Sequence, residues 1–311
     1  MADLIEYVKR VKELNPDIII READQADGEQ FVALFNSYYK RKTNLAYFQW
    51  QFFNTHFESK LFTAFHDDKL IGYYGVKIYP LSGDILTGFA VDLLIHEPFR
   101  KTGIVFLLEA AIMDHCKAKG VSVMTALPNA YGNAAFRSLG WKSIAKVDTL
   151  VIDDLNSISS GTKGNTIVNN SNSALTKFVK DDQYRNWRYS SHPIYNYEPI
   201  ILDENNYTIT KLFTDPVSGN IFGDMVEVSC TQVQNFELLL LKVLVQMKAK
   251  NVHILTTWAL PHTPLYFLLK ELGFKTVPQE RFFCVKLINS NLEKLYQINN
   301  WDLAQSDAEI F

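Results

Sequence analysis

The sequence predicts a mixed α/β protein (an α+β mixed sheet) made of two tandem copies of one fold, each a mostly antiparallel mixed sheet flanked by helices. The first observation is internal repetition. Lys117-Ala-Lys-Gly-Val121 is answered by Lys248-Ala-Lys-Asn-Val252, and Phe136-Arg-Ser-Leu-Gly-Trp141 by Leu269-Lys-Glu-Leu-Gly-Phe274. Upstream, Tyr47-Phe-Gln-Trp50 is answered by Tyr184-Arg-Asn-Trp187, and Pro80-Leu-Ser-Gly83 by Pro216-Val-Ser-Gly219. The blocks keep their order at a spacing of nearly half the chain, which means two copies of one unit. The second observation is size: 311 residues, 47% of them hydrophobic, suffice for two cores of about 150 residues each. The third is the change of apolar period along the first copy, from strand-like to helical.

Helices are expected at 29–40, where Phe31, Leu34, Phe35 and Tyr38 share one face, and at 44–53. Strands follow at 60–65 and 70–78 across the turn at 66–69, then at 86–95. A helix runs from 104 to 119, apolar at Ile104, Leu107, Leu108, Ala111 and Ile112, and Gly120 ends it. A strand at 121–126, a Pro-Asn turn, a helix at 130–138 and a strand at 147–152 complete the first domain, 1–152. Residues 153–176, rich in Ser, Asn and Gly, read as a linker. The second domain is expected over 177–290, and 291–311 as an acidic tail with little pattern.

Charge is nearly balanced, 31 basic residues against 34 acidic. A general nucleic-acid or anionic-membrane surface is therefore not expected. The N-terminus alternates charged and apolar residues without a signal-peptide core, and no apolar run approaches the ~18–20 residues that span a bilayer. Cys116, Cys230 and Cys284 are odd in number and far apart. They suggest neither a metal site nor a disulfide framework, and a cytoplasmic location is expected.

The copies differ where chemistry begins. Between strand and helix the first carries Arg100-Lys-Thr-Gly103, whereas the second, from Val228 to Phe236, has no glycine and no basic residue. The first amides of a helix lack intrahelical partners and carry partial positive charge. Phosphate suits them, Gly103 admits close approach, and Arg100 and Lys101 add charge.

At this loop the chain resembles the GNAT N-acetyltransferase superfamily, whose acyl-CoA loop reads R/Q-x-x-G-x-G/A. Arg100-Lys101-Thr102-Gly103-Ile104-Val105 fits it, with Val105 where the family prefers glycine or alanine. The segment from Asn129 to Trp141 is similar to the family's N-x-x-A-x-x-x-Y-x-x-x-G-F. The likeness covers about 25–152 and, weakly, 177–288.

The resemblance implies acetyl-CoA, or another short acyl-CoA, as cosubstrate and no metal. The pantetheine would pair with backbone at Leu94, Ile95 and His96, and the pyrophosphate would sit on the amides of 101–105. Asn129 would approach the pantetheine arm, with Asn133 and Phe136 completing the contact set. A primary amine would attack the acyl carbonyl directly. A small-molecule acceptor is expected, an amino-sugar ahead of peptides, from a likeness of Pro128–Trp141 to bacterial transferases. No nucleic-acid or membrane partner is expected, and a homodimer is allowed.

The reaction needs a base for the ammonium proton and admits an acid for the thiolate. The family's tyrosine acid falls at Phe136, which cannot donate, so Tyr131 is the substitute candidate. Asp92 and His96 are candidate bases, expected on one strand face by two-residue alternation, and an imidazole titrates near ~6.5. Asp84 is a looser option. The second copy, with His262 at the place of Asn129 and Leu269 at that of Phe136, is expected not to bind acyl-CoA but to wall the acceptor cleft. His192, Tyr195, Tyr197 and Trp258 are its cleft candidates. Two other classes stay open: a Fem-like transferase using aminoacyl-tRNA, and a non-catalytic acyl-CoA-binding pseudoenzyme.

Overall fold

The computed structural model describes residues 2–155, 175–215 and 218–308. They fall into two compact units. The first takes residues up to 144 together with 179–194 and 282–296, and the second takes the rest.

The first unit opens with α1 (Ala2–Leu14), β1 (Ile19–Glu22), α2 (Gly28–Tyr38) and α3 (Leu45–Phe52). Asn44 caps α3 by accepting from the Tyr47 amide. An antiparallel run follows: β2 (Ser59–His66), β3 (Lys69–Leu81) and β4 (Ile85–Ile95). Asp67 and Asp68 both take positive φ, 49° and 59°, between β2 and β3. That is the two-residue turn whose twist matches a hairpin. Then come α4 (Ile104–Ala118), β5 (Val123–Ala126), α5 (Ala130–Ser138) and β6 (Lys142–Lys146). Gly120, at φ 73°, ends α4 in the left-handed conformation that its sequence position suggested.

The next strand, β7 (Thr149–Ile152), belongs to the second sheet, which also holds β8 (Tyr197–Asp203), β9 (Asn206–Thr214), β10 (Ile221–Ser229), β11 (Ile254–Thr257) and β12 (Lys275–Val277). Its order is β12-β7-β11-β10-β9-β8, with β10 and β11 parallel. α7 (Val233–Ala249) and α8 (Pro264–Glu271) cover it. The last strand, β13 (Phe282–Leu287), returns to the first sheet, whose order is β1-β2-β3-β4-β5-β13-β6.

The expected boundaries at 152 and 290 therefore differ from the units observed. β7 leaves the first copy and β13 leaves the second, because a strand's sheet is decided by which edge it pairs with, and its own pattern does not encode that. The linker expected over 153–176 lies outside the described residues at 156–174, as do 216–217 of the second copy's turn. The expected tail is not patternless packing: Trp301 is buried, His262 Nε2 meets its carbonyl at 2.8 Å, and Gln305 donates to Thr256 Oγ1 at 2.9 Å.

Short α6 (Asp182–Arg185) and the turn after it belong to the first unit. There the two repeat tryptophans meet: Trp50 and Trp187 stack at 4.4 Å and 4°. Each indole donates to the other's carbonyl, at 2.9 and 3.0 Å. Buried Lys77 lies over the Trp187 ring at 4.3 Å and donates to Gln51 Oε1 at 2.9 Å. The aromatic contacts and this acceptor offset the loss of water around a buried ammonium.

A second buried charge joins β13 to α4. Lys286 Nζ contacts Glu109 Oε1 at 2.7 Å, and the Trp141 indole donates to the same oxygen at 2.9 Å.

All three cysteines are buried and free. Burial pushes the Cys116 thiol up to about 12 and the Cys284 thiol up to about 11, and raises Cys230. Native protein is therefore expected to leave a thiol-disulfide reagent unreacted at neutral pH, with all three reacting in denaturant. Groups whose folded values lie above the unfolded ones stabilise below the unfolded value and lose that contribution as pH rises toward the folded one. Buried Tyr73 and Tyr74, both raised well above 10.0 mainly by burial, act in the same direction. Stability is thus expected to fall on the alkaline side, from about pH 9 upward, read as Tm against pH.

Candidate active site

β4 and β5 run parallel only from Thr87↔Val123 to Ala90↔Ala126. Beyond Ala90, β4 continues against β3 alone to Gly72↔Ile95, while Pro128 after β5 accepts from Phe282 of β13. Pairing between the two strands stops where β5 ends, leaving the edge of residues 91–95 without a paired strand on that side among the described residues. Leu94 and Ile95 turn their side chains into packing, Leu94 being 8% exposed, so this edge presents backbone.

A bulge interrupts β4 at this point. Tyr73 pairs with Leu94 but Gly75 with Val91, so one residue of β3 faces two of β4, and Asp92 takes φ 47°. The expected two-residue alternation therefore does not connect Asp92 with His96. Asp92 Oδ2 accepts from Gln51 Nε2 at 3.3 Å, which extends the Lys77–Gln51 contact to this carboxylate. Its charge, after burial, also raises the Tyr73 phenol. His96 Nδ1 instead meets Tyr38 Oη at 2.8 Å. A cavity of about 450 Å³ adjoins it, lined by His96 and Phe99, by Gln30 and Leu34 of α2, and by the β2–β3 turn. Asp84 sits in the β3–β4 turn, at the opposite end of β4 from Asp92, and does not join the site.

Gly103, at φ 87°, precedes α4 as its cap. The amides of Ile104 and Val105 open the helix and have no intrahelical acceptor. A Cβ at Gly103 would lie 2.9 Å from Val11 of α1, and Asn15 Nδ2 donates to the Thr102 carbonyl at 3.2 Å. Space and backbone angle together demand glycine here. Lys101 is exposed, and Arg100 Nε donates to the Ile95 carbonyl at 3.0 Å.

The remaining candidates separate. Asn129 caps α5, its Oδ1 accepting from Gly132 N at 2.9 Å. Asn133 is buried, with the Cys284 thiol donating to its Oδ1 at 3.3 Å. Phe136 is 4% exposed and packs on Trp141 at 4.7 Å, as a core residue. Tyr131 is 90% exposed on the first turn of α5. Among the expected cleft residues of the second copy, His192 packs on Trp50 at 4.3 Å, and the Lys211 ammonium lies over the Tyr195 ring at 4.5 Å. Tyr197 opens β8, and Trp258 is buried, donating to Thr149 Oγ1 at 3.1 Å.

Sequence reasoning missed Tyr38, Gln51 and Val11 as parts of this site. Tyr38 carried only the apolar helix period, which says nothing of where its hydroxyl reaches.

The equivalent place in the second unit is filled by its own side chains. The Thr231 amide, just before α7, donates to Asn206 Oδ1 at 2.9 Å, and the Cys230 thiol to the Gln232 carbonyl at 2.9 Å. His262 contacts Trp301, and Leu269 is buried. Among the described residues no cluster of metal-ligating side chains occurs, and no helix is long and apolar enough to cross a membrane.

Residues 23–141 match the family model described as the acetyltransferase (GNAT) family. No curated protein matches the chain in sequence. Among solved structures, a conserved protein of Enterococcus faecalis V583, described as a probable N-acyltransferase, is 10% identical with a TM-score of 0.63, over 88% of this chain and 73% of that one. A GCN5-related N-acetyltransferase of Anabaena variabilis is 12% identical with a TM-score of 0.63, over 88% and 73%. A tandem GNAT protein from the clavulanic acid biosynthesis pathway is 13% identical with a TM-score of 0.55, over 87% and 98%. At these identities the structural likeness carries the fold alone. The family match thus covers the domain that holds the loop, residues 23–141 being a GNAT acetyltransferase domain, and the chain's two mixed sheets give it a fold like that of tandem GNAT proteins.

Proposed function

We propose that the first unit transfers an acetyl group from acetyl-CoA to a primary amine of a small molecule, with an amino-sugar ahead of a peptide as acceptor. The observation that carries this reading is the end of β4–β5 pairing at Ala90, which leaves the rest of β4 unpaired on that side, beside a helix start opened by a left-handed glycine. The residues present suit the cosubstrate. The β4 edge around Leu94 and Ile95 is the backbone nearest to an amide-bearing arm, although the His96 amide donates to the Ile71 carbonyl and the Ile95 carbonyl accepts from Arg100. The amides of 103–105 with Arg100 and Lys101 offer donors and charge to a pyrophosphate. Acetyl-CoA supplies an activated thioester. The amine attacks its carbonyl carbon, the C–S bond breaks, and CoA leaves as thiolate. Asp92 is the first candidate to take the ammonium proton, with His96 the second. Tyr131 is the candidate donor to the thiolate, and its exposure leaves water able to replace it.

Calorimetry with acetyl-CoA and free CoA tests the reading. One site per chain with a micromolar Kd is expected, about −7 to −8 kcal/mol. Arg100→Ala should weaken it by roughly 10–100-fold, the value of a hydrogen bond to a charged group. Gly103 is a poor test position because any side chain meets Val11. Absence of binding, or two equal sites, would overturn the assignment. An amine panel followed by thiol release then identifies the acceptor.

A further inference from the structure

The turn from β4 into the loop at 100–105 is organised by one side chain from α2. The Glu97 amide donates to Tyr38 Oη at 2.6 Å, the same oxygen lies 2.8 Å from His96 Nδ1, and the Arg100 guanidinium sits 4.8 Å over the Tyr38 ring. A backbone amide can only donate, so Tyr38 Oη accepts from Glu97. The phenol has one hydrogen left to give, and His96 Nδ1 is the acceptor in reach. A neutral imidazole that accepts at Nδ1 carries its own hydrogen on Nε2.

We propose that Tyr38 is a positioning residue that holds neutral His96 in the Nε2–H tautomer, so that His96 offers the site a hydrogen-bond donor and not a base. This rests on the acetyl-transfer reading for its consequence, which is to leave Asp92 as the base, but not for its geometry. Other charged or titratable groups nearby include Glu97, the next residue, Arg100, stacked on Tyr38, and His66, Asp67 and Lys69, which line the adjoining cavity. His66 Nδ1 pairs with Asp67 at 3.3 Å, and none of these groups hydrogen-bonds His96. The same hydroxyl fixes the Glu97 amide and so the course of the chain toward Arg100. Loss of Tyr38 should therefore disturb both the tautomer and cosubstrate binding.

The test is nitrogen-15 NMR of the histidine rings in the intact protein, about 1.5 units above the ordinary imidazole pKa. The His96 signals are assigned by their loss in His96→Gln. In the unsubstituted protein Nε2 should carry the proton and Nδ1 should be bare and hydrogen-bonded. Tyr38→Phe should give a mixture of tautomers and weaken acetyl-CoA by about 2–10-fold, the worth of one hydrogen bond. A proton on Nδ1 in the unsubstituted protein overturns the proposal whether or not the variant folds. An unchanged tautomer in Tyr38→Phe overturns it equally. The ring signals need no turnover, so a correct tautomer beside absent acetyl transfer would fault the functional reading and leave this one standing.

Discussion

Replacing Asp92 by asparagine is expected to lower kcat by about 10²–10⁴-fold, the range for loss of a general base. The substitution is chosen for its backbone. Asp92 sits at φ 47° on the bulge of β4, a conformation that asparagine tolerates and alanine or a β-branched residue does not. Asparagine also keeps an oxygen for the Gln51 amide, now 3.3 Å away. Only the charge and the proton-accepting capacity are lost. Acetyl-CoA affinity should hold, because the proposed cosubstrate contacts are backbone of β4 and the loop at 100–105 and not this carboxylate, so the loss is expected in kcat and not in binding. Steady-state thiol release, calorimetry and Tm on one preparation separate these effects. If His96→Gln costs as much as Asp92→Asn and removes the acidic limb of the rate profile, the base is His96.

Substitution of Lys286 by methionine is expected to destabilise the first unit by about 3–5 kcal/mol, the cost of leaving a buried partner's charge uncompensated. Glu109 is 2% exposed on α4, and Lys286 of β13 and the Trp141 indole both contact its Oε1. Lys286 also donates to the Leu139 carbonyl at 2.9 Å. The contact joins residues far apart in the chain, and β13 covers the edge of β5 from Val123 to Ala126. Thermal unfolding should show a drop on the order of 10 °C. Adding Glu109→Leu should recover part of it, since an apolar pair replaces a broken ionic one. Equal Tm values for the single variant and the native chain would show that water reaches Glu109 and that the pair is not a staple. A chain ending before Phe282 would leave the β5 edge at Val123–Ala126 without its β13 partner.

The sequence determined whatever is local. Periods of two and 3.6 residues placed β2 to β5 and α2 to α5 within a few residues, because side-chain spacing reports the backbone directly. Gly120 was legible because a left-handed residue at a helix C-terminus calls for glycine, whereas Gly103 was singled out for close approach of a ligand, and its φ of 87° and the nearness of Val11 come from the structure. The repeat announced two copies, and the stacking of Trp50 on Trp187 gives two of its matched residues a shared purpose. α1 and β6 were not foreseen, and the last segment was read only as an acidic tail with little pattern, since irregular packing such as that of Trp301 leaves no period to read.

Tertiary structure alone decided the rest, and each case is a pairing over long sequence separation. β7 and β13 go to the other copy's sheet, because free sheet edges choose strands by register and burial. The bulge at Asp92 breaks the alternation that was to have joined it to His96. Tyr38, one apolar-looking position of a helix face, turns its hydroxyl to Glu97 and His96. A residue's type states what bonds it can make; which partner it meets is fixed only when the chain closes on itself.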